Sequence, residues 1–256
     1  MKYLSVQEMV AIEKAADKAG HSYQAMMEAA GKGLAELIED RFSSKKEEAI
    51  LALVGSGNNG GDALVALDYL ANWGWKATAL LFRARDPQDE LINRLLARGG
   101  EVIDCSAGEN DSSILMETVQ NSSIILDGVL GTGIRLPLRQ PLKELLGLTS
   151  EILRAMDGKP VVVAVDCPSG VDCDTGEVSP SCLPADLTVT MAAVKQGLLK
   201  FPAYEYVGEL QMVEIGLPPD LPELVQITRE VIVRNAVLPL IPDRPKDAHK
   251  GTFGTS

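Results

Sequence analysis

Three segments carry residue types able to do chemistry. The first, Gly55-Ser56-Gly57-Asn58-Asn59-Gly60-Gly61-Asp62, follows an apolar run and opens a helical pattern. Glycine lets the backbone approach a ligand, and the free amides of a helix start favour an anion. Gly55, Gly57 and Gly60 fit G-x-G-x-x-G, a short pattern that alone says little. The acid expected to bind a ribose after the second strand is missing, and Arg83 and Arg85 stand there instead. An ordinary NAD dehydrogenase is therefore disfavoured. The two arginines suit a phosphate contact or, as the preferred expectation, exposed solubilising charge. Asp62 reads either as a ligand contact or as a helix-start acid stabilised by the dipole.

The second segment is Asp127-Gly128-Val129-Leu130-Gly131-Thr132-Gly133-Ile134-Arg135-Leu136-Pro137. Asp127 closes an apolar strand, so its carboxylate needs a partner other than the core. Thr132 and Arg135 are available to an oxygen-rich ligand. The third is Asp166-Cys167-Pro168-Ser169-Gly170-Val171-Asp172, with another acid directly after an apolar strand. Ser169 lies in P-S-G and not in G-x-S-x-G, so a nucleophile elbow is excluded. Asn59, Asp127 and Asp166 offer the oxygen ligands of a hard cation, or a carboxylate free for proton transfer. Lys195, just beyond a later strand, either enters the same cleft or lies on the surface.

These segments need a scaffold, and the 256-residue chain supplies one large domain or two small ones. A net charge of −12 argues against nucleic-acid or anionic-membrane partners. No apolar run approaches the ~20 residues that span a bilayer, and Met1–Glu8 lacks a signal peptide's apolar stretch. A cytoplasmic protein is expected. Cys105, Cys167, Cys173 and Cys182 show no C-x-x-C spacing and read as reduced structural thiols. Only His21 and His249 are present, which disfavours zinc sites and histidine-based hydrolase triads.

The first forty residues predict two helices. Ser5 and Glu8 form a capping box opening a run to about Gly20. The second run places Met26, Ala29, Ala30, Gly33, Leu34, Leu37 and Ile38 on one face. That small-residue stripe suits core packing first and a dimer contact second. Strands are expected at Ile50–Val54, Ala77–Phe82, Glu101–Asp104, Ser123–Leu126, Val161–Val165, Leu187–Met191 and Leu210–Ile215. Helices are expected at Asp62–Ala71, Asp89–Arg98, Ser112–Val119 and Gln140–Met156. Alternation of this kind predicts an α/β fold: a Rossmann-like three-layer sandwich, its mostly parallel sheet flanked by helices, with two N-terminal helices. Ligands of such sheets bind outside the carboxyl ends of the strands, where all three segments fall. Ile241–Ser256 reads as a linker.

Together G-S-G-N-N-G-G-D, L-D-G-V-L-G-T-G, A-V-D-C-P-S-G-V-D and A-D-L-T-V-T…K-Q-G-L resemble the YjeF N-terminal domain family, whose enzymes are NAD(P)H-hydrate epimerases. The resemblance extends from Met27-Glu28-Ala29-Ala30-Gly31 to Val207-Gly208-Glu209-Leu210…Ile215-Gly216-Leu217-Pro218. Ala63 departs from the glycine frequent there, which leaves the ligand-facing amides in place. Asp247-Ala248-His249-Lys250-Gly251-Thr252-Phe253-Gly254 resembles the opening of a ribokinase-like dehydratase domain. The expected division is an epimerase domain over 1–240, then a linker and dehydratase stub over 241–256. The chain would be the N-terminal half of a bifunctional repair enzyme.

The resemblance implies that Asn58, Asn59, Gly60, Gly61 and Asp62, with Gly131, Thr132, Gly133, Ile134, Arg135, Leu136 and Pro137, bind the hydrated dinucleotide. It implies that Asp166 binds the ligand and carries the proton, with Lys195 or Asp62 assisting. Asn59, Asp127 and Ser169 would ligate one potassium ion (K+) per subunit beside backbone carbonyls. The substrate would be hydrated NADH or NADPH (NADHX, NADPHX), epimerised at C6 of the nicotinamide ring through an iminium or through ring opening. A homodimer is expected, with higher assembly through a fused dehydratase domain. The competing classes are a non-catalytic scaffold, dimerisation or nucleotide-binding module and an NADP-preferring dehydrogenase.

Overall fold

A computed structural model describes residues 1–106 and 111–241. In chain order the elements are β1 (Tyr3–Leu4), α1 (Val6–Lys18), α2 (Tyr23–Phe42), β2 (Ala49–Val54), α3 (Asn58–Asn72), β3 (Lys76–Leu81), α4 (Glu90–Ala97) and β4 (Glu101–Asp104). Then come α5 (Asp111–Gln120), β5 (Ser122–Gly128), α6 (Leu142–Ala155), β6 (Val161–Val165), β7 (Leu187–Met191), β8 (Val194–Lys195) and β9 (Glu209–Val213). Ser5 caps α1 as its sequence requires: its Oγ accepts the Glu8 amide at 3.2 Å, and the Glu8 carboxylate accepts the Ser5 amide at 2.7 Å.

Seven strands form one sheet in the order β4-β3-β2-β5-β6-β7-β9, and every pairing is parallel. The uninterrupted apolar character of β2 follows from burial on both faces. Ile50, Ala52 and Val54 pack with α1, α2 and α3 residues such as Ile12, Leu34 and Leu67. Leu51 and Leu53 pack the other way, with Leu115 and Val119 of α5 and Leu146 of α6. The chain starts the sheet at β2, steps outward through β3 and β4, then returns to the far side of β2 for β5. That reversal opens a crevice between β2 and β5 at their carboxyl ends.

Two differences from the sequence reading matter. Helix α3 begins at Asn58, not Asp62, so Asn58 to Gly61 form its first turn and Asp62 is not the helix-start acid. The small-residue stripe of α2 is turned towards Gly31 and Ala35, and both are buried. A Cβ on Gly31 would lie 2.4 Å from Val65 Cβ of α3, so this face packs inside the chain, as preferred, and is not open to a partner. The short β1 pairs with β8, aligning Leu4 with Lys195; two-residue strands carry no legible period. Among the described residues no helix is long and apolar enough to cross a membrane. The dehydratase-like motif at Asp247–Gly254, with His249, lies outside the described residues.

Candidate functional site

A cavity of about 1000 Å³ opens along the carboxyl ends of the strands. The α3 start supplies Ser56 to Asn59 and Asp62, the segment after β5 supplies Val129 to Ile134, and Asp166 enters after β6. The N-terminal helices close the cavity with Val10, Glu13, Tyr23, Gln24, Met26 and Met27. Gly57 caps α3 without a side-chain hydrogen bond, and the first intrahelical bond runs from the Gly61 amide to the Gly57 carbonyl. The first-turn amides therefore remain donors at the cavity wall. Gly60 matters for close packing instead. Its Cβ would sit 2.2 Å from the Gly55 carbonyl oxygen, so only glycine lets α3 meet the strand end this closely.

Asp166 is buried and left-handed (φ 63°), and a hydrogen bond from the Cys167 amide to the Val165 carbonyl (2.7 Å) closes a three-residue turn around it. Ala192, beyond β7, repeats the arrangement with φ 61°. These paired turns aim the end of β7 at Asp166. Asp166 Oδ1 accepts the Met191 amide at 2.9 Å and the Thr190 hydroxyl at 3.2 Å, and it is ion-paired with Lys195 Nζ. Burial opposes the charge on Lys195, but Asp166 more than offsets it and its pKa is raised. Lys195 is only 1% exposed and does not line the cavity. Neither placement expected for it holds: it is buried and ion-paired with Asp166, on the short strand that pairs with β1.

Two further carboxyl groups face Asp166. Burial pushes Asp62 well above the usual carboxylate range, with the charges of Asp166 and Glu13 adding to the effect. Glu13 is also raised, first by burial; Lys195 opposes and Asp166 contributes. Sequence reasoning missed Glu13. Its signal was present: residue 13 shares a helical face with Met9 and Ala16, and both are buried. An acid within an apolar stripe needs a reason.

Asp127 is fully buried one strand away, in β5. Its Oδ2 accepts the Ser169 amide at 2.7 Å, and its Oδ1 accepts the Ser169 hydroxyl at 2.5 Å. The Leu130 amide donates to Ser169 Oγ at 2.8 Å, and Asn59 Nδ2 donates to the Leu130 carbonyl at 3.0 Å. Asn59, Ser169 and, through Ser169, Asp127 are thus linked at Leu130, with Asn59 and Leu130 in the cavity wall. No Lys or Arg pairs with Asp127 among the described residues, and burial pushes its pKa up to about 6 against the pull of Ser169. Among the described residues no three His, Cys, Asp or Glu side chains are grouped to hold a metal. The donors here are a carboxylate, a carboxamide, a hydroxyl and carbonyls, all oxygen, and they suit a hard monovalent cation that would neutralise the buried charge.

Of the other expected residues, Asn58, Asp62, Gly131, Thr132, Gly133 and Ile134 line the cavity, whereas Gly60, Gly61, Arg135, Leu136 and Pro137 do not. The expectation that Arg83 and Arg85 are exposed solubilising charges is overturned. Arg85 bonds the Gly55 carbonyl at 2.8 Å and Asp89 at 2.7 Å, and Arg83 is half-buried in the cavity wall. All four cysteines are buried, and none is in a disulfide among the described residues. His21 bonds the Ile215 carbonyl at 2.8 Å, a structural role.

The family described as YjeF-related protein N-terminus matches residues 23–197. An NAD(P)H-hydrate epimerase of Cenarchaeum symbiosum is 33% identical over 221 residues, covering 85% of this chain and 96% of that one. A bifunctional NAD(P)H-hydrate repair enzyme Nnr of Thermofilum pendens is 33% identical over 262 residues, covering 99% of this chain and 47% of that protein. This chain spans just under half of such bifunctional relatives. The crystal structure of yeast ynu0 shares the fold, with a TM-score of 0.68 at 22% identity over 83% of this chain and 87% of that one. With the motif loops gathered at the carboxyl ends of neighbouring central strands and most of its length matched, the chain belongs to the YjeF-related protein N-terminus family.

Proposed function

We propose that this chain epimerises the S and R forms of hydrated NADH and NADPH at C6 of the nicotinamide ring, as part of nicotinamide-nucleotide repair. The observation that carries the reading is the presence of three carboxyl-bearing residues, Glu13, Asp62 and Asp166, in the lining of one cavity that is also walled by a helix start. A helix start suits phosphates, and carboxyl groups in differing surroundings suit proton transfer. The relative of Cenarchaeum symbiosum, matched over nearly its whole length, bears the name of this activity.

At C6 the hydroxyl shares a carbon with the ring nitrogen. Protonation lets it leave as water while the nitrogen lone pair forms a planar iminium. Water returns to either face and gives up a proton, so protons balance over the cycle. Asp62, whose protonated form is favoured by burial, gives the proton to the leaving oxygen. Asp166, held through Oδ1 by Lys195 and the β7 end, takes a proton from the returning water, and a proton then passes from Asp166 back to Asp62 through the water of the shared cavity, restoring both groups for the next turnover. Asn58, Asn59 and Gly131 to Ile134 hold the dinucleotide, with Arg135, Leu136 and Pro137 continuing the loop.

Asn59, Asp127 and Ser169 would hold one potassium ion per subunit. Bound there, it supplies positive charge that fixes the Leu130 loop against the start of α3. Buried reduced thiols agree with a cytoplasmic setting. A homodimer belongs to the proposal and is checked by light scattering. The activity is tested by incubating the protein with purified S or R hydrate and following the isomer ratio. Equilibration faster than the spontaneous rate supports the reading; a ratio that stays on the spontaneous curve rejects it.

A further inference from the structure

The cavity runs past several strand ends. Its walls include Arg83 after β3, Ser56 after β2, Leu130 after β5 and Asp166 after β6. From β6 to β3 is three strand spacings, about 14 Å, the direction a dinucleotide must take if its reacting ring lies at Asp166. The start of α3, beside β2, is the anion site along that path. The group beyond it, at β3, meets Arg83.

Arg83 differs from its neighbour in a way that matters. Arg85 is committed to Gly55 and Asp89. No hydrogen bond or ion pair within the described residues occupies Arg83, yet its side chain is half-buried in the wall. Glu13, Asp62, Glu90 and Asp166 also line the cavity, and Arg83 is the basic residue among the lining side chains. In doubly wound sheets the ribose 2′ position is met after the second strand, where an arginine accommodates a 2′-phosphate.

We propose that Arg83 reads the 2′-phosphate that distinguishes hydrated NADPH from hydrated NADH, making the phosphorylated coenzyme the preferred substrate. This rests on the epimerase reading for its substrate, but the contact itself is to the adenosine end. Glu90 lines the same end and is exposed, so its charge opposes the phosphate and tempers the preference.

The test measures binding of ADP-ribose and 2′-phospho-ADP-ribose, which lack the reacting ring, alongside kcat/KM for both hydrates. Wild type binds the 2′-phosphorylated compound about tenfold to a hundredfold more tightly, the range of a charge-assisted contact. Arg83→Gln collapses that ratio, Arg83→Lys keeps part of it, and Glu90→Gln widens it. Equal affinities in the wild type overturn the proposal. So does an Arg83→Gln variant that weakens both compounds equally, which marks a pyrophosphate contact, or failure of both to bind. If 2′-phosphate discrimination is present but neither hydrate is epimerised, the Arg83 site stands and the epimerase reading falls. If both hydrates are epimerised with no discrimination, the reverse holds.

Discussion

Asp127 lies near the end of β5, and Asp166 follows β6, its neighbour in the sheet. Both are buried acids ending apolar strands. Asp166 is met by Lys195, which reaches it from beyond β7. Among the described residues Asp127 is met only by neutral donors, the Ser169 amide and hydroxyl with a longer contact from Val129. Two similar motifs thus acquire different surroundings from what the next turns deliver: one carboxylate has its countercharge built into the chain, and the other has only neutral partners among the described residues. The first lines the cavity and the second does not.

The largest effect is expected from breaking the first arrangement. Asp166→Asn lowers kcat about 10²–10⁴-fold, read from isomer interconversion. It also strands Lys195 as a buried, unpaired cation, at a cost of about 3–5 kcal/mol in denaturant unfolding. Adding Lys195→Met restores stability but not activity, separating the positioning role from the catalytic one.

Asp62→Asn comes next. Asp62 acts in its protonated form, so wild-type kcat/KM falls as pH rises through its raised pKa; the variant is about 10²-fold slower and loses that limb. Stability follows the same sign. Above the unfolded-state pKa the unfolded chain has released this proton while the folded chain keeps it, so the Asp62 contribution falls with rising pH. Thermal melts at neutral pH should show Asp62→Asn gaining on wild type, and melts at low pH should show no gain.

Potassium sharpens the other side of the comparison. Replacing choline with potassium should raise stability by about 1.4 kcal/mol when the ion is at tenfold its Kd, measured as Tm. Asp127→Asn removes the dependence, and Asp166→Asn keeps it. The smallest effect is expected from Glu13→Gln. Removing a charge that raises the Asp62 pKa moves the alkaline limb of the pH–rate profile to lower pH.

Much of the fold was legible because β2 and β6 are near-continuous apolar runs and the helices of the α/β alternation keep their period. The three loops were legible as strand-end acids and amides. What escaped depends on three-dimensional closure. Asn58 and Asn59 read as loop residues because two following glycines mask the first turn of α3. The place of Lys195 depends on a left-handed Ala192 and on pairing with Leu4, nearly two hundred residues away in the chain. Arg83 and Arg85 differ in fate because only one reaches Gly55 and Asp89. The contribution of α1 to the cavity follows from where the helix docks, although the misplaced acid at 13 announced it.

The decisive experiment follows the interconversion of purified S and R hydrates by wild type, Asp166→Asn and Asp127→Asn, side by side in potassium buffer with unfolding curves for each. Wild type should equilibrate the isomers rapidly, folded Asp166→Asn should be slowed about 10²–10⁴-fold, and Asp127→Asn should fall between them. Wild type at the spontaneous rate, or Asp166→Asn equilibrating as fast as wild type, would refute the assignment of proton transfer to Asp166.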